Sequence, residues 1–382
     1  MRILRVHPFL KAEATYPFAG GMARTSLRLT KELARAGHEL LVFPYPEAIG
    51  TLTCWDLQDQ ISVAVQPTMA WPGWRGLPRA LRRARRLDPP PSGWREALSE
   101  AMAVHALDQA VLHFRPAIIH NHLPRRPFPR LLGSLPRHVP LVLTHHHGEA
   151  GEALEVYDRI VFVSQSQCDE IRDQTGLPAD RLRVVHNPVA VTFAQGPTPR
   201  ATERQGLLFS GALRDRKGLD LLLEAYTLEP RLNNHALHLY GEGTQRETYE
   251  RQAREQGLNL EFHGRVSVDD LAHALRAARL LVNPSRLEGW SASINEALCC
   301  GLPVVGWAPQ VQELEQLLGL RVGLPFDART QSASELAASL LAALEDAPLA
   351  ALTGQTLARA ARESFSAERF VRGYLAVYQE LL

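Results

Sequence analysis

The chain is poor in lysine, in cysteine and in long apolar runs. Of its 382 residues, 42 are lysine or arginine, yet only Lys11, Lys31 and Lys217 are lysines. The four cysteines have neither zinc-finger spacing nor the density of a secreted disulfide framework, which favours a reducing cytoplasm. No apolar run approaches the ~20 residues of a membrane span, and no signal peptide precedes the first strand. A formal charge of +1 gives no electrostatic reason to expect a nucleic acid partner.

Short apolar runs alternate with helical patterns along both halves of the chain. They lie at residues 3–6, 40–43, 117–120, 141–144, 160–163, 207–210, 236–240, 258–262, 280–282 and 304–306. Strands that alternate with helices indicate parallel, doubly wound sheets, and 382 residues suffice for two domains. The glycine- and proline-containing stretch 189–206 is typical of a linker. The sequence therefore predicts an α/β protein with one domain at 1–190, a second at 191–365 and a final helix at 366–382.

The segment 281–306 combines a strand, a short loop with Glu288 and Gly289, and a helix that is predicted to start near Ser293. On one continuous helix, Glu288 and Glu296 would lie about 12 Å apart and roughly 80° around the axis, so they could not hold one metal ion. They could hold two ends of an extended ligand, and a helix start attracts phosphate. The alternative is structural, because Ser293 and Glu296 have the spacing of a capping box.

A glycine-flanked basic turn at 210–218 follows a predicted strand and precedes a helix. It carries Arg214, Arg216 and Lys217, which is suited to phosphate binding. The alternative is a solvated basic turn. A lysine retained in an arginine-rich chain favours a site that needs a compact point charge.

Gly20 and Gly21 follow the first strand after a long loop and open a helix. Glycines at such a junction allow the backbone to approach a ligand, although glycine is common there in any protein. A nicotinamide-binding fingerprint would need a third glycine and an acidic residue about 20 positions later, and neither is found.

Histidines end two of the predicted strands, at His120 and His122 and at 145–147. Successive residues on a strand point to opposite faces, and no acidic cluster completes a set of ligands, so a metal site is not favoured. Each histidine could also simply be hydrogen-bonded at a strand end.

Taken together, these segments resemble family 4 of the retaining glycosyltransferases, which have the GT-B fold of two doubly wound domains facing across a cleft. The matching positions in the strongest segment are Pro284, Ser285, Glu288, Gly289, Glu296, Ala297, Gly301, Pro303, Val304 and Val305. Trp290 and Ser291 stand where the family usually has Phe-Gly, and Ala212 stands where its diphosphate motif has arginine.

The resemblance implies a role for each matched residue. Glu288 would hold the hydroxyls of the donor sugar, Glu296 the ribose hydroxyls, and Arg216 with Lys217 the diphosphate. Gly20 and Gly21 would face the donor phosphate and the acceptor, and His146 would contact the donor near the reacting centre. The remaining donor-binding positions implied are Val266 beside the base, Gly289, and the backbone amides of Trp290, Ser291 and Ala292.

The resemblance also implies the reaction. A sugar would pass, with retention of configuration, from a nucleoside diphosphate donor, a UDP-sugar or alternatively a GDP-sugar, to a hydroxyl of a lipid, glycan or small molecule. No further cofactor and no metal are implied, and the sequence has no Asp-x-Asp triplet to hold a divalent ion. The N-terminal domain would be the acceptor side, and the final helix would cross back onto it. Two alternatives stay open: a nucleotide-sugar 2-epimerase of the same fold, and a non-catalytic nucleotide-sugar-binding partner protein.

A basic segment with tryptophans runs from Trp71 through Trp74 to Arg86. Aromatic anchors beside clustered arginines suit the anionic inner face of a membrane, which would make the protein peripheral and its acceptor a lipid. A solvated helix bounded by prolines is the alternative.

Overall fold

The chain forms two compact units, Met1–His186 with Phe370–Leu382, and Asn187–Arg369. The structure is a computed structural model, and it describes residues 1–7, 21–44, 54–56, 62–65, 73–85, 93–122, 128–135, 139–146, 153–346 and 354–382. In this part of the chain, no helix is both long enough and apolar enough to cross a bilayer.

The first unit contains a sheet of eight described strands in the order β3-β4-β2-β1-β5-β6-β7-β8. Its strands are β1 Arg2–His7, β2 Glu39–Pro44, β3 Cys54–Asp56, β4 Ser62–Val65, β5 Ile118–Asn121, β6 Leu141–His145, β7 Arg159–Phe162 and β8 Leu182–Val184. All neighbours are parallel except β3, which pairs antiparallel with β4. Central strands of a parallel sheet are covered on both faces, which explains their continuous apolar runs.

Helices cover this sheet. They are α1 Gly21–Arg35, α2 Gly73–Ala84, α3 Trp94–Phe114, α4 Phe128–Gly133 and α5 Gln165–Thr175. The chain's last helix, Ala367–Gln379, packs into the same unit through Phe370, Tyr374 and Tyr378, which join a buried cluster with Leu29 and Val142. Glu380, directly after this helix, forms ion pairs with Arg159 and Arg183.

The second unit contains six described strands in the order β11-β10-β9-β12-β13-β14, all parallel. They are β9 Leu207–Ser210, β10 Leu237–Tyr240, β11 Leu260–Gly264, β12 Leu280–Asn283, β13 Val304–Trp307 and β14 Gly323–Phe326. Numbered within the sheet this is 3-2-1-4-5-6, the doubly wound order in which ligands bind where the strand order reverses. The two doubly wound sheets predicted from the sequence are thereby confirmed.

In the second unit the first helix precedes the first strand, and the other helices come after strands along the chain. These helices are α6 Val191–Ala194, α7 Leu219–Leu228, α8 Arg246–Glu255, α9 Val268–Ala277, α10 Ala292–Cys299, α11 Ala308–Leu318, α12 Ala333–Glu345 and α13 Gln355–Ser364, and the last helix of the chain is α14. Short 3-10 helices lie at Leu154–Val156, Ala179–Arg181, Ala201–Glu203, Asp215–Lys217 and Pro230–Asn234.

Candidate functional site

The predicted phosphate turn and the predicted carboxylate loop meet at the reversal point of the second sheet. β9 and β12 are hydrogen-bonded neighbours at the centre of that sheet, and their connections on either side run in opposite directions. The turn with Lys217 follows β9, and the loop with Glu288 follows β12. Both therefore lie at the carboxyl ends of the two strands between which open α/β sheets bind ligands.

Lys217 and Glu288 form an ion pair through Lys217 Nζ and Glu288 Oε1. The side chains are largely shielded from water, with 11% and 8% of their surface exposed. Ser285 Oγ also donates to Glu288 Oε1 at 2.8 Å. The sequence predicts both residues as ligand contacts, but their direct pairing, 71 positions apart, is visible only in the structure.

Arg286 fastens the two loops to each other. Its backbone amide donates to the Arg216 carbonyl at 2.9 Å, and its guanidinium donates to both carboxylate oxygens of Asp220 at 2.8 and 2.6 Å. The same guanidinium donates to the Asp215 carbonyl at 2.6 Å. A bidentate arginine pair fixes geometry as well as charge, so the backbone that carries Lys217 is held against the loop that carries Glu288.

Gly218 permits this close approach. It ends the 3-10 turn Asp215–Lys217 in the left-handed conformation, with φ +68°, and a Cβ there would lie 1.9 Å from the Pro284 carbonyl oxygen. No other residue fits such a position without moving one loop. Arg214 and Arg216 lie on the same turn but are exposed, and Ala212 is half-buried.

Helix α10 begins two residues earlier than the capping-box alternative requires. Its first residue is Ala292 and its N-cap is Ser291, so Ser293 is the second residue of the helix. Neither residue forms a side-chain cap on α10: the Ser291 hydroxyl accepts from Asn283 Nδ2 at 3.1 Å, and the Ser293 hydroxyl from the same amide at 3.3 Å. The capping box between Ser293 and Glu296 is therefore wrong, and Glu296 lies half-buried in the middle of the helix.

Two residues that the sequence did not predict hold the start of α10. Gln310 Oε1 accepts from the Ser291 amide at 2.7 Å, and Gln310 Nε2 donates to the Ser291 carbonyl at 3.0 Å and to Asn295 Oδ1 at 3.1 Å. Asn283, the last residue of β12, bonds both serines from the other side. A buried polar residue at the end of an apolar strand is the feature that could have indicated Asn283.

The remaining predicted donor-side residues lie in the same unit, on loops or, for Ala292, at the first position of α10. Trp290 is 8% exposed and its ring meets Phe365 edge-on, with ring centroids 6.4 Å apart. Gly289 is half-buried and Ala292 is exposed. Val266 is half-buried in the turn between β11 and α9, next to the N-cap Ser267.

In the first unit, a buried polar chain leads to His146. Arg5, which is fully buried in β1, donates through Nη2 to the Ser26 hydroxyl at 3.1 Å and to His122 Nε2. His122 Nδ1 lies 3.3 Å from His146 Nε2, and the two rings stack with centroids 5.6 Å apart. Burial lowers the pKa of Arg5, against the opposing influence of Tyr378 and Tyr374. An arginine inside an apolar strand run was the sequence feature that could have revealed this network.

These contacts select the tautomer of a neutral His146. A guanidinium has only donors, so His122 Nε2 accepts and the His122 proton lies on Nδ1. That proton points to His146 Nε2, which leaves the proton of a neutral His146 on Nδ1. Arg5 and His122 are thus positioning residues for the histidine that the sequence predicts near the reacting centre.

Other histidines of these clusters are bonded within the fold. His120 Nδ1 bonds the Tyr378 hydroxyl at 2.6 Å and its Nε2 the Thr144 hydroxyl at 2.8 Å, while Gln167 Nε2 donates to His145 Nδ1 at 3.1 Å. Burial first, and then the charges of Arg5 and His146, hold the pKa of His120 well below its ordinary value. His147 lies outside the described residues.

Two sequence predictions fall partly outside the described residues. Gly20 lies outside them, and Gly21 is the first residue of α1. In the basic segment, Trp71 and Arg86 lie outside, whereas Gly73–Ala84 form α2, whose Arg83 pairs with Asp108. Arg82 and Arg85 are exposed, so contact with a membrane stays a prediction.

The profile of "Glycosyltransferase Family 4" matches residues 19–193, and that of "Glycosyl transferases group 1" matches residues 193–359. The chain thus has the GT-B class of fold. It belongs to glycosyltransferase family 4, as its motifs predict.

Curated relatives match only part of their own length. O-antigen chain mannosyltransferase B of Escherichia coli is 33% identical over 144 residues, 36% of either chain. An uncharacterized glycosyltransferase of Methanocaldococcus jannaschii is 26% identical over 173 residues, 41% of this chain and 44% of the relative. The matches therefore span less than half the length of these relatives.

Solved structures share the fold over the whole chain. Lipopolysaccharide outer core galactosyltransferase WaaB, in its apo form, superposes with a TM-score of 0.70 at 15% identity and full coverage of both chains. Anabaena HepE, solved in complex with UDP and glucose, gives 0.67 at 17% identity, again with full coverage of both. At these identities the likeness concerns the fold alone.

Proposed function

We propose that this glycosyltransferase moves a sugar, with retention of configuration, from a nucleoside diphosphate donor to a hydroxyl of a lipid, glycan or small-molecule acceptor. The observation that carries the proposal is the shielded pair of Lys217 and Glu288 at the reversal point of the second sheet. The Lys217 ammonium is suited to bind phosphate, and the Glu288 carboxylate is suited to accept hydrogen bonds from sugar hydroxyls. Without a donor the two charges neutralise each other, and a bound donor would bring the negative charge of its diphosphate to Lys217.

In this proposal each group meets one part of the donor. Lys217 and the exposed Arg216 receive the diphosphate, and the amides at the start of α10 add their dipole. Glu288 accepts hydrogen bonds from the sugar, and Glu296 from the ribose. Val266 packs beside the base, while Gly289 and the amides of Trp290, Ser291 and Ala292 complete the pocket for sugar and phosphate.

The chemistry is electrostatic in this account. Charge that develops on the leaving phosphate is met by preorganised donors, a contribution usually worth several kcal/mol of barrier. As the family resemblance implies, His146 is assigned a hydrogen bond to the donor, and Gly20 and Gly21 are assigned to the donor phosphate and the acceptor. No covalent intermediate is invoked, and the leaving phosphate assists attack on the same face of the sugar.

A UDP-sugar is the donor that the relatives favour. Anabaena HepE was solved with UDP and glucose, and a mutant of S. aureus TarM with fondaparinux, alpha-GlcNAc-glycerol and UDP. A GDP-sugar stays the alternative donor class.

The proposal is tested first by binding and then by turnover. A thermal-shift panel of nucleoside diphosphates and their sugars should single out one base, since a ligand at about 100 times its Kd adds about 2.7 kcal/mol. The stabilising donor is then incubated with a library of hydroxyl acceptors, and the anomeric configuration of the product is read by NMR. An inverted product contradicts retention. Donor converted at C2 without acceptor indicates the epimerase, and donor bound but never consumed indicates a non-catalytic protein.

Transfer is expected to survive exhaustive chelation. The leaving group is met by Lys217, Arg216 and the start of α10, and the sequence offers no Asp-x-Asp triplet for a divalent ion. Initial rates should be measured with excess EDTA, far below the melting temperature. Loss of transfer that magnesium or manganese restores would contradict this account.

A further inference from the structure

Three potential metal ligands converge at the outer edge of the second sheet, away from its central strands. They are His238 on β10 and Glu261 and His263 on β11, the edge strand. His238 Nδ1 lies 3.1 Å from His263 Nε2 and 3.2 Å from Glu261 Oε2. The third distance, from His263 Nε2 to Glu261 Oε2, is 3.6 Å. The three atoms thus form a nearly equilateral triangle.

The triangle has the dimensions of a zinc site. Zinc binds histidine nitrogen and carboxylate oxygen at about 2.0–2.2 Å in tetrahedral geometry, which separates neighbouring ligand atoms by about 3.3–3.6 Å. The three measured separations lie at or close to that range. Two histidines and one glutamate are moreover a ligand set that zinc uses, with the fourth position left to water.

Local backbone geometry explains why these side chains meet. His238 and Glu261 are register partners on adjacent parallel strands, and the register shifts just beyond them, so that Tyr240 pairs with Gly264. The shift leaves His263 as the extra residue of a bulge on the edge strand. Glu261 and His263 are two residues apart on one strand, a spacing that places side chains on the same face, and their ligand atoms meet that of His238 there.

Neighbouring groups hold both histidine rings. Tyr240 stacks on His263 with ring centroids 4.5 Å apart and an interplanar angle of 11°. The His238 ring packs against the backbone at Gly206, where even a Cβ would lie 3.2 Å from its Nε2. About a third of each histidine side chain and half of Glu261 are exposed, so an ion can enter from solvent. A metal site needs such preorganised ligands with an open approach.

We propose that His238, Glu261 and His263 form a surface zinc site that ties the edge strand β11 to β10. The ion is assigned no part in the transfer reaction, because the site lies on the outer strand pair whereas Lys217 and Glu288 follow the central strands. The proposal does not depend on the proposed transferase reaction.

The test is metal binding by the full chain without any histidine tag. The protein is stripped with chelator, freed of chelator, and titrated with Co²⁺ and then Zn²⁺. One equivalent of Co²⁺ should give the visible absorption of a four-coordinate site, and Zn²⁺ should displace it. Calorimetry should return one site of micromolar or tighter Kd, and zinc should raise the melting temperature.

Three variants and one control localise the site. His238→Gln, Glu261→Gln and His263→Gln should each weaken zinc at least about tenfold. His273→Gln on the exposed face of α9 removes a histidine of the same unit and should change nothing. Circular dichroism in chelator checks that every variant is folded. Wild-type protein that binds no zinc at 10-fold excess over ~10 μM protein, or variants that bind it as tightly as wild type, would overturn the assignment.

Discussion

Lys217→Ala is expected to weaken the binding of a nucleoside diphosphate by about 1.5 to 3 kcal/mol, the range for hydrogen bonds to charged groups. Lys217 is the lysine of the phosphate turn, and its ammonium already lies against a carboxylate in a shielded position. Isothermal calorimetry with the preferred nucleoside diphosphate measures the change. Lys31→Ala on α1, in the other unit, is the control, and it should leave binding unchanged.

The same substitution also disturbs the fold, and the two effects must be separated. Removing one partner of a buried pair strands the other charge, which can cost about 3–5 kcal/mol. Glu288 keeps its hydrogen bond from Ser285 and retains some contact with water, so a smaller loss is expected here. A lower melting temperature of Lys217→Ala would therefore not show, by itself, that Lys217 binds the diphosphate.

A second variant separates the effect on stability from the effect on diphosphate binding. In the double variant Lys217→Ala with Glu288→Gln, no charge is left stranded, so thermal stability should recover. Binding of the nucleoside diphosphate should stay weak, because the cation is still missing. If binding recovers together with stability, Lys217 supports the loop and does not contact the diphosphate.

Local patterns in the sequence predicted most of the strands. Each of the ten apolar runs became a strand of the predicted type, since a buried parallel strand needs little more than a continuous apolar run between turns. The strands that escaped prediction are short: β3, β4, β8 and β14 have three or four residues, and β14 contains Pro325. Such segments depend on their neighbours more than on their own composition.

The site was predictable residue by residue but not as an arrangement. The motifs indicate Lys217 and Glu288 separately, whereas their pairing depends on which strands are neighbours in the sheet. Gln310 contacts Ser291 across 19 positions and Arg5 contacts His122 across 117, and no local spacing indicates such contacts. The start of α10 differs by one or two residues from the prediction because Ser291 and Ser293 are both suited to an N-cap, and Asn283 and Gln310 select the geometry.

Glu296→Gln is expected to leave the melting temperature near that of wild type and to raise the donor Michaelis constant strongly. Since Ser293 is not the N-cap of α10, Glu296 has no capping box to maintain. Glutamine removes the charge and one acceptor, so a residue that holds two ribose hydroxyls should lose on the order of 1 to 3 kcal/mol of donor binding. Differential scanning fluorimetry and donor kinetics measure the two quantities independently.

The same unit contains a true capping box for comparison. Ser332 Oγ accepts from the Glu335 amide at 3.3 Å, and Glu335 Oε2 accepts from the Ser332 amide at 2.8 Å, at the start of α12. Glu335→Ala should therefore lower the melting temperature and keep normal donor kinetics. Glu296→Ala should show the reverse pattern, with its kinetic defect at least as large as that of Glu296→Gln. If Glu296→Ala instead behaves like Glu335→Ala, Glu296 is a structural residue of α10, and the ribose must be held by another group.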